Sequence, residues 1–170
     1  MTAQILDRGL ACFRIGDPDG SHPIFDATGS TIAPARWNMP GIPLIYASEH
    51  YSTALLEKLV HGSGRLPPNQ HCIRITIPRG LTFEVFSPPS LPGWDRPSLP
   101  GWDSMPPTVS NAFGEQWCFE RRSLILIVAS VVARLDRNVV INPGHQELRH
   151  VETSPPEPVF WDRRLFGSGP

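Results

Sequence analysis

Residues 35–57, ARWNMPGIPLIYASEHYSTALLE, gather Arg36, Tyr46 and Glu57 around one strand and one helix. The apolar run Leu44 to Ala47, bounded by Gly41 and Pro43 before it and Ser48 after it, predicts a short buried strand carrying Tyr46. Ser48 predicts an N-cap, Glu49 sits where a first-turn carboxylate is favoured, and Gly62 is a stop, so Glu49 to His61 is predicted as a helix. At 3.6 residues per turn, Tyr51, Leu55, Leu56, Leu59 and Val60 share its apolar face, and Glu57 falls opposite them near His50, Thr53 and His61. On that spacing alone Glu57 reads as a solvated helix carboxylate, and Arg36 as a structural salt-bridge residue rather than a functional one. Ser130 closes an aliphatic run, where a serine usually bonds local backbone, and no G-x-S-x-G elbow makes it a nucleophile. His145, in Asn142-Pro143-Gly144-His145, reads as a turn histidine rather than a base.

The elements that must position these groups follow in order. Ala11 to Ile15 predicts an early strand, and residues 16–30, rich in Gly, Asp, Ser and Pro, a loop. Ile73, Ile75 and Ile77 alternate with Arg74 and Thr76, and Leu81, Phe83 and Val85 with Thr82 and Glu84, predicting two half-buried strands. A tandem repeat follows, PSLPGWDR at 89–96 and PSLPGWDS at 97–104. Two octapeptides cannot build a solenoid, and their Pro/Gly content predicts a loop insertion at 89–104. Its tryptophans, Trp94 and Trp102, form a lid or partner contact if exposed, or else record a duplication that the fold tolerates. Ser110 to Arg122 has helical spacing weakened by Gly114. Leu124 to Ala129 predicts a central strand buried on both faces, Val131 to Leu135 and Val139 to Ile141 further strands, and the stretch from Val159 a last edge strand.

Composition limits the function classes. The 170 residues suit one domain, with 40% hydrophobic and 18% charged residues and a formal net charge of −1. With its arginines scattered and Lys58 its sole lysine, the chain lacks the clustered cations of a nucleic-acid groove. Cys12, Cys72 and Cys118 are odd in number and widely spaced, which predicts reduced thiols rather than disulfides or a zinc site, and no metal site is expected. No run approaches membrane-span length, so a cytoplasmic protein with no membrane partner is expected. No G-x-G-x-x-G follows a strand, so a redox Rossmann domain is not supported.

GIPLIYAS followed by ALLEKLVH, then FGEQW, LILIVAS, NVVINPGH and VFWDRRLF, resemble in order the landmarks of the RES domain family, from about Phe13 to Phe166. That family is named for its Arg, Glu and Ser residues and supplies the toxins of RES-Xre toxin-antitoxin pairs. Arg36-Trp37-Asn38 resembles its G-R-W-N turn, with Ala35 in place of the glycine; Val128-Ala129-Ser130 stands where Val-Pro-Ser is usual; and Arg14 resembles a recurrent early arginine. The resemblance implies a single α+β domain similar to the ADP-ribosyltransferase fold, with a central sheet and flanking helices. It implies degradation of NAD⁺, a substrate to be consumed, with no retained cofactor. Nicotinamide departs neutral, so no general acid is needed, and one carboxylate can stabilise the oxocarbenium-like centre. The resemblance assigns that carboxylate to Glu57, orientation to Ser130, the diphosphate to the fork of Arg36, the nicotinamide end to Tyr46, and further substrate contacts to Arg14 and Asn142. It also implies an Xre-type antitoxin partner that blocks the pocket and carries any DNA binding, and a homodimer within the antitoxin complex. Water or phosphate is the expected acceptor; protein ADP-ribosylation and a non-enzymatic nucleotide- or protein-binding module are the alternatives.

Overall fold

A computed structural model of the chain describes residues 2–62, 68–86 and 101–166. Its strands are β1 (Gln4–Ile5), β2 (Leu10–Gly16), β3 (Ile45–Ser48), β4 (His71–Ile77), β5 (Thr82–Val85), β6 (Ile125–Ala129), β7 (Arg137–Ile141), β8 (Glu152–Thr153) and β9 (Glu157–Pro158). Its helices are α1 (Thr28–Ile32), α2 (Tyr51–His61) and α3 (Thr108–Glu120), with 3-10 turns at Gln146–His150 and Arg163–Phe166. The strands form one sheet in the order β1-β5-β6-β7-β3-β2-β4-β8, with β9 also on β4. This is the α+β architecture, a central sheet with flanking helices, expected from the sequence. No helix among the described residues is long and apolar enough to cross a membrane.

The aliphatic run lies where its composition places it. Every residue of β6 is buried, between β5 (parallel) and β7 (antiparallel), as an uninterrupted apolar strand requires. In β4 the three isoleucines are buried while Arg74 and Thr76 are exposed, the expected period of two. In β5 the expected alternation fails: Glu84 is fully buried, with Arg122 Nε 3.2 Å from its Oε1. The strand is covered on both sides, and Arg122 in turn lies 5.1 Å from the centre of the Phe113 ring.

The sheet is not equally tight along its width. Seven residue pairs join β2 to β4, from Leu10↔Ile77 to Gly16↔His71, and four join β3 to β7. Only Phe13↔Ser48 joins β2 to β3. The sheet therefore parts at the β2–β3 seam, freeing backbone groups that need other partners.

Two apolar clusters hold the molecule. One is aliphatic, built on Ile73, Ile75, Ile125, Ile127 and Ile141. The other is aromatic, built on Trp37, Phe86, Trp102 and Trp117. Trp102 belongs to the second octapeptide, and its ring stacks on Trp37 with centroids 6.3 Å apart and planes 19° from parallel. This part of the predicted loop insertion is core, not an exposed lid; residues 89–100, including Trp94, lie outside the described residues. Gly114, which weakens the helix prediction, has a packing reason: a Cβ there would sit 1.9 Å from the Trp37 carbonyl oxygen. Helix α3 thus presses backbone to backbone on the Arg36-Trp37-Asn38 turn.

Other boundaries shift. Ser48 is the last residue of β3 rather than a helix cap, and α2 starts at Tyr51 with His50 as N-cap. Residues 131–135 form bends and turns instead of a strand, tied by the Ala133 N–H to Ser130 Oγ at 2.9 Å and by the Asp136 N–H to the Ala133 carbonyl. The predicted edge strand from Val159 is replaced by β9 just before it and a 3-10 turn just after it. The three cysteines are free, and burial, then Glu49, pushes the Cys12 thiol up to about 12.

Candidate active site

Helix α2 lies over the seam with a different face inward from the one its leucines suggest. Thr53 and Ala54 are buried, whereas Tyr51, Leu56 and Val60 are 37%, 38% and 52% exposed. The Thr53 hydroxyl donates to the Asp136 carboxylate, which also lies 3.5 Å from His50 Nδ1, and the small Ala54 lets the helix approach the sheet. One turn further on, this rotation points Glu57 inward. Its side chain is 20% exposed and borders a cleft of about 520 Å³, which Phe13, Arg14, Tyr46, Ser48 and Asn138 also line.

The Glu57 carboxylate is held asymmetrically. Oε1 accepts from Ser130 Oγ at 2.8 Å and from Asn138 Nδ2 at 2.6 Å. Asn138 is itself oriented, because its Oδ1 accepts from Ser48 Oγ at 2.7 Å. The register explains this chain: Ser48 and Asn138 are paired across β3 and β7, and Asn138 and Val128 across β7 and β6, so two strand ends converge under α2. Two donors satisfy Oε1, while the nearest ion-pairing group to Oε2 is His61 Nε2, at 4.0 Å. An anion so held keeps one oxygen oriented and the other available to a developing positive charge.

Arg14 and Tyr46 flank the seam. The Arg14 guanidinium donates through Nε to the Ile24 carbonyl (2.6 Å), through one terminal nitrogen to the Tyr46 carbonyl (2.7 Å), and through the other to the Asp26 carbonyl (3.2 Å). It thus satisfies a β3 carbonyl at the parted seam. Burial lowers its pKa, with Asp26 and Tyr46 acting the other way. The Tyr46 hydroxyl donates to Asn38 Oδ1 (2.7 Å) and accepts from the Trp37 N–H (3.2 Å), and burial raises the phenol's pKa. Asn38, fully buried, also donates to the Ser30, Met39 and Ile42 carbonyls. Ala35 serves in place of glycine because its φ is not positive; its N–H donates to Asn38 Oδ1 at 3.0 Å and closes the turn.

The remaining candidates stand apart from this cluster. Arg36 does not line the cleft: its guanidinium donates to the Trp102 and Ser104 carbonyls at 3.0 and 3.1 Å and clasps the second octapeptide. Burial lowers its pKa, opposed by the charges of Asp103 and Glu57, so it stands within electrostatic reach of the carboxylate. Asn142 lies past the opposite end of β7 from Asn138, where its Nδ2 donates to the Cys118 carbonyl (2.9 Å) and its Oδ1 accepts from the Gly144 N–H (2.9 Å). It ties α3 to the turn rather than facing the cleft. His145 Nδ1 accepts from the Glu147 N–H and caps a 3-10 turn. Sequence reasoning missed Asn138 and Ser48, because only the β3–β7 register brings them to Glu57. It also missed Lys58, which borders the cleft.

Comparison with known proteins identifies the family of the chain. Residues 11–162 match the RES domain. The Prs ADP-ribosylating toxin of Sphingobium sp. (strain YBL2) is 33% identical over 142 residues, covering 81% of this chain and 84% of the relative. Toxin Res of Photorhabdus laumondii subsp. laumondii is 29% identical over 121 residues, covering 70% of this chain and 72% of the relative. Among solved structures, a chain of the M. tuberculosis MbcT-MbcA toxin-antitoxin complex superposes with a TM-score of 0.65 at 11% identity, over 91% of this chain and 86% of that one, a likeness of fold. With its glutamate and serine joined in one hydrogen-bonded cluster and its sequence matched from residue 11 to residue 162, this chain belongs to the RES domain family.

Proposed function

We propose that this protein is the toxin of a toxin-antitoxin pair and that it consumes NAD⁺ by cleaving the nicotinamide-ribose bond. The observation that carries this reading is the Glu57 carboxylate, its Oε1 fixed by Ser130 and Asn138, at the edge of a cleft large enough for a nucleotide. As the bond breaks, its electron pair leaves with nicotinamide, which departs neutral, and positive charge develops on the ribose. Glu57 stabilises that charge, Ser130 and Asn138 keep the carboxylate in place, the Tyr46 ring bounds the nicotinamide end, and Arg14 offers its remaining donors to the diphosphate. Arg36 supports the site from behind by holding the 102–105 segment and adding positive potential near Glu57. Water as acceptor gives ADP-ribose and a proton; phosphate gives the ADP-ribose phosphate ester.

A second reading has a specific observation in its favour: the Sphingobium relative is named for ADP-ribosylation. There the acceptor is a protein side chain, and the same cleavage step delivers the ADP-ribosyl group to it. Incubating the purified protein with NAD⁺, with and without phosphate and with candidate acceptor proteins, separates the cases by product. Free ADP-ribose or its phosphate ester supports the first reading, labelled protein the second, and intact NAD⁺ in every arm refutes both. The toxin names of the relatives and the toxin-antitoxin complex among the similar folds support an antitoxin as partner, and an Xre-type one is the form that the family resemblance implies. Co-expression of that partner is expected to relieve growth arrest caused by this chain, and persistent arrest despite a stable complex contradicts inhibition by cleft blockage.

A further inference from the structure

The cleft that Glu57 borders is also lined by two cationic side chains, Arg14 and Lys58. Lys58 is the sole lysine of the chain, half-buried, and borders the same cleft. On α2, Ala54, Glu57, Lys58 and His61 follow the i, i+3, i+4, i+7 spacing of one helix face and all line it. Glu57 and Lys58 are neighbours about 100° apart around that helix, and they lean toward different strands. Glu57 bonds residues at the ends of β6 and β7, whereas Lys58 feels the charges of Arg14 in β2 and Asp17 just after it. In the sheet order β6-β7-β3-β2 these are opposite sides of the seam.

Neither cation on the β2 side has a carboxylate at ion-pair distance among the described residues. Arg14 spends three donors on carbonyls, out of the five that a guanidinium carries, and those contacts fix its plane without pairing its charge directly to a carboxylate. Lys58 lines the same cleft, where burial first and Arg14 second lower its pKa and Asp17 acts the other way. Two like charges lining one cleft, with Asp26 and Asp17 near but neither at ion-pair distance, form a receptor for an anion, and a phosphate anhydride presents oxygens to both at once.

We propose that Lys58 and Arg14 together form the diphosphate subsite, and that the dinucleotide lies across the strands, its diphosphate on the β2 side and its scissile ribose at Glu57. This deepens the NAD⁺ reading and rests on it for the identity of the ligand. Arg14 supplies a rigid fork anchored to backbone, and Lys58 supplies a mobile point charge from the helix above. The arrangement gives the diphosphate contacts that the clasped Arg36 does not provide.

The test is equilibrium binding of ADP-ribose and of inorganic pyrophosphate by calorimetry, which needs no turnover, with thermal unfolding as the check on folding. Lys58→Met is expected to weaken ADP-ribose binding by about tenfold or more at an unchanged melting temperature, the scale of one charged hydrogen bond. Lys58→Arg should restore it to within about threefold, because the charge returns. Lys58→Gln serves in place of the methionine variant if the latter unfolds. Wild-type affinity in the neutral variants overturns the proposal, and so does a Lys58→Arg protein as weak as Lys58→Met, since that outcome assigns Lys58 a packing role. A wild-type protein that binds neither ADP-ribose nor pyrophosphate overturns it as well. A wild-type protein that binds ADP-ribose through Lys58 but leaves NAD⁺ intact keeps the subsite and removes the NAD⁺-cleaving function.

Discussion

Replacing Asn138 with alanine removes one of the two donors to Glu57 Oε1, the 2.6 Å contact, and leaves the Ser48 hydroxyl without its acceptor. A hydrogen bond to a charged group contributes about 1.5–3 kcal/mol. If that restraint serves mainly the transition state, in which the carboxylate faces developing positive charge, its loss lowers kcat by roughly 10- to 100-fold. KM should change little, because Asn138 meets the carboxylate rather than the diphosphate. Ser48→Ala acts one bond further out: it frees the amide to turn, and a neutral hydrogen bond of about 0.5–1.5 kcal/mol sets a few-fold to tenfold loss. The assay is steady-state release of nicotinamide from NAD⁺ by both variants, with circular dichroism to verify folding. A folded Asn138→Ala protein with wild-type kcat, or one impaired only in KM, refutes the argument that the Ser48–Asn138 chain positions Glu57.

Three further outcomes concern stability. Gly114→Ala should destabilise, because the new Cβ meets a backbone oxygen at 1.9 Å and not a flexible side chain; overpacking of about 1–3 kcal/mol exceeds the helix-propensity gain of about 1 kcal/mol, and urea unfolding reads the difference. Deleting residues 97–104 should leave a folded protein, since PSLPGWD then precedes Met105 from the first copy and again offers a tryptophan to Trp37, whereas alanine at both Trp94 and Trp102 should cost about 3–5 kcal/mol; equal melting temperatures for the two proteins contradict this. Burial raises the Glu84 pKa from 4.5, against the pull of Arg122, so the folded state retains its proton to higher pH than the unfolded state. The stability of wild type relative to Glu84→Gln should therefore fall as pH rises above 4.5, and a difference that is flat with pH removes Glu84 as its source.

The sequence made some of this legible and concealed the rest for physical reasons. The uniform aliphatic run of β6 and the isoleucine alternation of β4 specify buried strands through composition and period alone, and both stand where expected. Helix α2 misleads because its leucines outnumber its anchors: the Thr53 bond to Asp136 and the small Ala54 set the rotation, and both depend on contacts distant in sequence. The same rotation turns Glu57 from a surface carboxylate into the acceptor of two hydrogen bonds. Glu84 reads as outward-facing because strand alternation assumes one solvated face, and β5 has none. Within the site, Glu57, Ser130, Tyr46 and Arg14 were nameable from the sequence with the family resemblance, and the structure gathers them about one cleft and its carboxylate. Arg36 and Asn142 were nameable too, yet their polar groups are engaged by the second octapeptide and by the end of α3. Asn138 and Ser48 carry no local signature, since an asparagine opening a strand and a serine closing one acquire meaning only through the β3–β7 register.

The central claim is that one carboxylate, held by Ser130 and Asn138, drives nicotinamide departure. Glu57→Gln keeps the shape of the side chain and removes its charge, so nicotinamide release from NAD⁺ by the purified variant, beside the wild type, tests it most directly. Measurable release by wild type and a fall in kcat of roughly 10² to 10³ in the folded variant are expected, with little change in the affinity for ADP-ribose. Nearly full turnover by Glu57→Gln would contradict it and return Glu57 to the role of a hydrogen-bonded helix residue.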